Sequence, residues 1–160
     1  MITTKIFIKP HLAEYLYEKY RVEGENYIKI PHSDDLYHIV FDLLRRKSEN
    51  SEDCQPETNL ELALPNRSVG KNPQYFNYLS ARAQKIIEEK VDRIFKAEMH
   101  HYIDEMTVDF GMSYVDASYM FREKLNLHSI TEDALIKDYY RYRRKIGRKK
   151  KRKQKYTKND

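Results

Sequence analysis

Three short stretches alternate apolar and polar residues with a period of two: KIFIK at 5–9, YIKI at 27–30 and LELAL at 60–64. Alternation sends successive side chains to opposite faces, so each stretch predicts a half-buried strand. Between the first two, Leu12, Tyr15, Leu16 and Tyr20 recur at helical spacing, and Pro10 suits a first turn, where the missing N–H costs nothing. Between the second and third, Ser33 is placed to cap a helix whose first turn holds Asp34 and Asp35 near the positive end of the dipole. Leu36, Ile39, Val40, Leu43 and Leu44 would form its buried stripe. The order strand, helix, strand, helix, strand predicts a small α/β part over residues 1–65.

Residues 45–58 are polar without periodicity and read as an exposed loop. Asn72 followed by Pro73 predicts the start of a long helix over 72–107. One apolar face runs along it through Leu79, Ala83, Ile86, Ile87, Val91, Ile94, Phe95, Met99, Tyr102, Ile103 and Met106. Gly111 suits the position just past its end. Ser113 with Asp116 then predicts a capped helix to about Leu125, with an apolar side of Val115, Ala117, Tyr119, Met120, Phe121 and Leu125. After a turn at 126–129, Ser129 and Glu132 have capping-box spacing, and Thr131 and Asp133 reinforce the start of a last helix toward Ile146. The expected fold is mainly α (multihelical) with a small N-terminal β element. It has a single helical core over 1–147 and a helix-turn-helix-like C-terminal pair over 113–146.

Charge changes this picture at one end. Residues 137–160 hold 13 of the 30 Lys and Arg but two of the 25 Asp and Glu, so a cationic end follows an acidic body. The run RKKKRKQK at 148–155 repels itself and cannot be buried unpaired, which predicts a disordered basic tail over 148–160 that waits for a polyanion. The single cysteine, Cys54, excludes an internal disulfide and a Cys-rich zinc module, and fits a reducing compartment. No apolar run approaches the roughly 18 residues of a membrane span, and the first residues lack a signal-peptide layout, so a cytoplasmic protein is expected.

The last predicted helix carries two stripes. Leu135, Tyr139, Tyr142 and Ile146 step by four, three and four, and Lys137, Arg141, Arg144 and Arg148 repeat those steps about 200° around the cylinder. One face packs while the other presents cations, as a recognition helix does to the major groove. The candidate nucleic-acid-binding residues are Ser129, Thr131, Lys137, Tyr140, Arg141 and Arg144 on the helix, with Arg148, Lys149, Lys150, Lys151, Arg152 and Lys153 in the tail tracking phosphates. The stretch 139–144 (YYRYRR) also offers rings and guanidinium planes to RNA bases. The tail has the composition of a nuclear import signal as well.

Enzyme readings find less. Glu98 and His101 share a helix face as in half of a di-iron site, with His100 and Asp104 nearby, but a second Glu-x-x-His is absent. His32 and His38 frame a helix start near Asp34 and Asp35 without further ligands, and no Gly-rich phosphate loop or nucleophile elbow occurs. No enzyme, cofactor or metal is expected. The reading from another class is a protein-interaction or self-assembly module, such as a homodimer, in which the basic tail serves solubility.

Three stretches, KIFIKPHLAEYL at 5–16, SDDLYHIVFDLL at 33–44 and SITEDALIKDYYRYRR at 129–144, resemble small uncharacterised proteins of Bacteroidetes genomes associated with prophages and other mobile elements. The likeness spans nearly the whole chain. It implies a bacterial cytoplasmic setting, in which a nuclear import signal has no use, and a mobile-DNA context that favours DNA over RNA. It implies no activity and no site residues.

Overall fold

The computed structural model describes the backbone of residues 1–48 and 57–156, and side chains as far as Gly147 together with Lys149. Most of the loop expected at 45–58, Cys54 included, lies outside the described residues. The elements are β1 (Thr3–Ile6), α1 (Pro10–Tyr20), α2 (Asp35–Leu43), β2 (Leu60–Ala63), α3 (Ala81–Phe110), α4 (Tyr114–Lys124) and α5 (Glu132–Tyr156). The fold is mainly helical with one small antiparallel sheet. The hydrophobic pattern led us to expect one core over 1–147; the packing instead gathers into two compact units, Met1–Phe95 and Lys96–Asp160, and α3 contributes to both.

In the first unit β1 and β2 pair antiparallel, Thr3 opposite Ala63 and Ile6 opposite Leu60, with Ile6, Leu60 and Leu62 buried. The expected strand at 27–30 shrinks to Ile28. Its amide donates to the Glu61 carbonyl and its carbonyl accepts from Ala63, both at 2.9 Å. The ladder stops there because the next amide, Lys29, donates to the Tyr20 carbonyl at 3.1 Å, and Pro31 has no amide hydrogen. β1 also ends sooner than the alternation at 5–9 suggests. Side chains meet the backbone beyond it: the Asn59 amide accepts from Ile8 N at 3.0 Å and donates to Ile8 O at 2.6 Å, and Glu88 accepts from Lys9 N at 2.9 Å.

α1 buries Leu12, Tyr15, Leu16 and Tyr20 as its spacing predicts. The cap of α2 is Asp34, not Ser33: one carboxylate oxygen accepts from Leu36 N at 2.9 Å, and the other takes the Tyr20 hydroxyl. α2 buries Leu36, Tyr37, Val40 and Phe41, a stripe turned toward its aromatics and away from Ile39 and Leu43.

α3 starts later than the Asn72-Pro73 signal. Asn72 caps only one turn, its side chain accepting from Gln74 N at 2.9 Å. Tyr78 then exchanges backbone hydrogen bonds with Arg45 at 3.0 and 3.1 Å, and Ser80 is the working cap, its Oγ accepting from Ala83 N at 3.2 Å. From there α3 is continuous to Phe110, with Gly111 in the left-handed region at φ +65° as expected of a residue past a helix end. Its buried positions are Ala83, Ile87, Val91 and Phe95 in the first unit and Met99 and Ile103 in the second, every fourth residue. The band is narrower than the sequence suggests, and Ile86 reaches solvent.

The half-buried amide of Asn59 replaces a missing strand neighbour for Ile8, so Asn59→Ala leaves two partly buried backbone groups without this partner. The expected cost is about 1–3 kcal/mol in urea unfolding; an unchanged midpoint would show that water replaces the amide freely.

Candidate nucleic-acid interface

The helix pair that carries the candidate site is defined at both ends of its connection. Ser113 caps α4 as expected, accepting from Asp116 N at 3.1 Å and donating to the Asp116 carboxylate at 2.6 Å. α4 ends on Asn126, in the left-handed region at φ +49°: Asn126 N donates to Glu123 O at 3.1 Å and Leu127 N to Arg122 O at 3.1 Å. This is a Schellman closure with asparagine in the usual place of glycine. Leu127, within the expected turn, is buried. α5 is capped by Thr131, whose Oγ1 accepts from Ala134 N at 3.2 Å, so the capping box expected of Ser129 and Glu132 is not the one used. Glu132 instead faces Arg122 at 3.3 Å, and Arg122 Nε donates to Ile130 O at 3.0 Å.

Packing then sets the rotation of α5. Leu135 and Tyr139 are buried, and the Tyr139 hydroxyl donates to Asp104 on α3 at 2.5 Å. Burial, followed by the Asp104 hydrogen bond and charge, raises the Tyr139 hydroxyl far above the ordinary tyrosine range, so it stays a donor. His100 stacks on Tyr142 with centroids 4.0 Å apart and planes 15° from parallel, and its Nε2 lies 2.8 Å from Asp138. Lys96 approaches the same carboxylate at 3.9 Å. His100 and Asp104 are therefore engaged with α5 and do not join Glu98 and His101 in a ligand set. Among the described residues no group of three or more His, Cys, Asp or Glu side chains is arranged to hold a metal ion. His32 meets His38 edge to face and lies tilted against Tyr37, and His38 Nδ1 contacts Arg67.

With Leu135 and Tyr139 inward, the candidate residues of α5 point outward, and Ser129 and Thr131 are exposed at its start. Lys137 is exposed and pairs with Asp133 at 2.6 Å one turn earlier. Tyr140 is 43% exposed. Arg141 and Arg144 are exposed, and neither forms an ion pair with an acidic side chain among the described residues. The predicted two-faced helix is thus present from Leu135 to Arg144. From Thr131 to Arg144 the exposed residues span about 20 Å at 1.5 Å per residue.

α5 does not stop near Ile146. It passes through Gly147, where an added Cβ would meet nothing within 4 Å, and its backbone stays helical to Tyr156. The arm expected to be disordered from Arg148 is helical over that stretch; residues 157–160 lie outside the description. Lys, Arg and Gln are good helix formers, and cations complement the negative end of the helix dipole, which offsets their mutual repulsion. Lys149 is exposed, while the side chains of Arg148, Lys150, Lys151, Arg152 and Lys153 fall outside the description.

Two residues outside the predicted set join this surface. Arg143 lies over the Tyr114 ring at 5.0 Å, and the Tyr114 and Tyr140 rings stand at 87° with centroids 6.1 Å apart. The three-residue step from Tyr140 to Arg143 could have suggested a pair; only tertiary packing brings Tyr114 from α4 to it.

Compared with protein-family models, curated proteins and solved structures, the chain matches none. Among the described residues, no helix is long and apolar enough to cross a membrane.

The raised Tyr139 hydroxyl links stability to pH. The folded protein keeps this proton to a higher pH than the unfolded chain does, so the contribution is complete below the unfolded value of about 10 and is lost as pH rises beyond it. Tyr139→Phe should be less stable than the parent at pH 8, with the gap narrowing as pH climbs through the unfolded tyrosine range. A gap constant across chemical-denaturation curves at those pH values would rule out a role for the hydroxyl bond.

Proposed function

We propose that this protein is a non-enzymatic nucleic-acid-binding accessory or regulatory protein, with DNA its favoured partner, and that the solvent side of α5 is its binding face. The observation that carries this reading is the pairing state of α5: Arg141 and Arg144 stand exposed without acidic partners among the described residues, while the opposite side of the same helix is held against α3 by Tyr139 and Tyr142. A cation in water without a counter-charge gains by replacing the condensed counterions of a polyphosphate. Asp138, one of two acidic residues after Lys137, is turned toward His100 and Lys96 and does not interrupt the face.

In this reading α4 and α5 act as a helix-turn-helix-like pair. Ser129, Thr131, Lys137, Tyr140, Arg141 and Arg144 meet the nucleic acid, and the cations from Arg148 onward extend along the phosphates. The connection, residues 125–131, is longer than the tight turn of that motif, but it is held by buried Leu127 and by Arg122 across Ile130 and Glu132.

The test compares the full chain with a chain ending at Gly147 by gel shift between about 50 and 200 mM salt. Each phosphate neutralised adds about 0.9 to the logarithmic slope, so the full chain should lose several orders of magnitude in affinity across that range and the shorter chain should bind more weakly with a shallower slope. Arg141→Gln with Arg144→Gln should weaken both. Absence of binding in the full chain at the lower salt would end the proposal.

One observation favours a second reading, that of an interaction or self-assembly module. Apolar side chains near the α3–α4 junction face solvent, among them Val108 (80% exposed), Phe110 (69%) and Val115 (52%), and Tyr119 and Met120 further along α4 are exposed as well. The sequence pattern placed Val115, Tyr119 and Met120 on the packed side of α4, whereas the packed residues are Ala117, Ser118 and Phe121. On this reading sedimentation gives a concentration-dependent dimer that Val115→Lys disperses; a monomer at all concentrations counts against it.

A further inference from the structure

The stretch 139–144 carries three tyrosines, and the structure gives each a different fate. Tyr139 is buried with its hydroxyl committed to Asp104. Tyr142 has one ring face covered by His100. Tyr140 alone of the three presents substantial ring surface to solvent, and it does so in a groove of about 600 Å³ lined by Tyr114, Tyr140, Arg143 and Arg144. It is shallow and largely open to solvent. The composition is more telling: two rings at right angles, with two guanidinium groups and no carboxylate in the lining.

We infer that this groove takes one unpaired base of a nucleic-acid strand, laid on the Tyr140 ring, with its flanking phosphate held by Arg143 and Arg144. The inference rests on reading α5 as a nucleic-acid face, and it replaces the duplex docking of a helix-turn-helix with an unpaired strand as the form that face prefers. Every base has a π face that an aromatic side chain can cover, but in a duplex both faces of each base are taken by its neighbours, so only a single strand, bulge or end can offer one. The perpendicular rings provide a floor and a wall for a flat ligand. Arg143 already lies over Tyr114 at 5.0 Å, which holds one guanidinium beside the rings before a ligand arrives. Arg144 follows Tyr140 by four residues on the same side of the helix, where it reaches the edge of the groove. Arg141, next along the exposed face, continues the cationic track away from it.

The experiment uses the full chain and fluorescence anisotropy with labelled oligonucleotides: a single strand, the same sequence as a duplex, and that duplex with one bulged base, each as DNA and as RNA. Single-stranded and bulged probes should bind tighter than the plain duplex. Tyr140→Ala should weaken them about 5- to 100-fold, the range found when one stacking ring is lost. Because no charge is removed, their salt slope should not change. Tyr140→Phe should restore binding, since the ring and not the hydroxyl is the platform, and Arg143→Gln with Arg144→Gln should lower the slope. The probe type that shows the larger Tyr140→Ala loss, DNA or RNA, identifies the natural strand. If Tyr140→Ala leaves all probes unaffected, or weakens single strand and duplex alike, while binding stays steeply salt-dependent, the groove is not a base site and only the general nucleic-acid reading survives. If no probe binds, that underlying reading falls with it.

Discussion

The hydrogen bond from buried Tyr139 to Asp104 is the constraint on which the C-terminal unit turns. A helix with aromatic and basic residues interleaved along 139–144 could roll about its axis and still cover some apolar surface. A hydroxyl excluded from water with one fixed acceptor removes that freedom, because a roll would strand both the donor and the carboxylate. Once Tyr139 is inward, Tyr142 falls against His100, Asp138 falls between His100 and Lys96, and the exposed side is left with Lys137, Tyr140, Arg141 and Arg144. The orientation of the cations follows from one polar contact in the interior.

The same packing sorts charge by sign. Residues 137–160 have few carboxylates of their own, and of these Asp138 is engaged with α3. Lys137 is the exception on the outer side, tied to Asp133 as an exposed pair in the first turns of α5. Such surface pairs contribute little to stability and separate readily, so Lys137 remains available to a phosphate at small cost. The field at the exposed face comes from the guanidinium groups of Arg141 and Arg144.

How much of this the sequence discloses depends on the kind of signal. Periodicity located α1 by Leu12, Tyr15, Leu16 and Tyr20, and it separated the two sides of α5, because both rest on spacing along one helix. Ser113 with Asp116 also read correctly, the reciprocal pair being specific. Single polar residues near helix starts were ambiguous. Ser33 and Asp34, Ser129 and Thr131, and Asn72 and Ser80 are each pairs of competent caps, and tertiary packing chose the later member every time. Strand length was misread at 27–30, since alternation shows which way side chains point and not where backbone partners exist. The groove beside Tyr140 was legible only in part: Tyr140 and Arg144 share a helix, whereas Tyr114 comes from another element through a contact no spacing rule contains. The basic tail shows the reverse error, in which a self-repelling composition pointed to disorder while strong local helix propensity carried the backbone to Tyr156.

Gly147 gives α5 a mechanical character beyond its charge. It lies in the helix interior with open space around it, so neither sterics nor a left-handed backbone requires glycine there. Its presence weakens the helix locally by about 0.5–1 kcal/mol relative to alanine. The weak point is the last residue of α5 to line a cavity that the helix shares with Asp104 and Thr107 of α3, and it stands just before the densest run of cations. A compliant joint at that place lets the distal segment of α5 change direction while the proximal turns stay packed on α3.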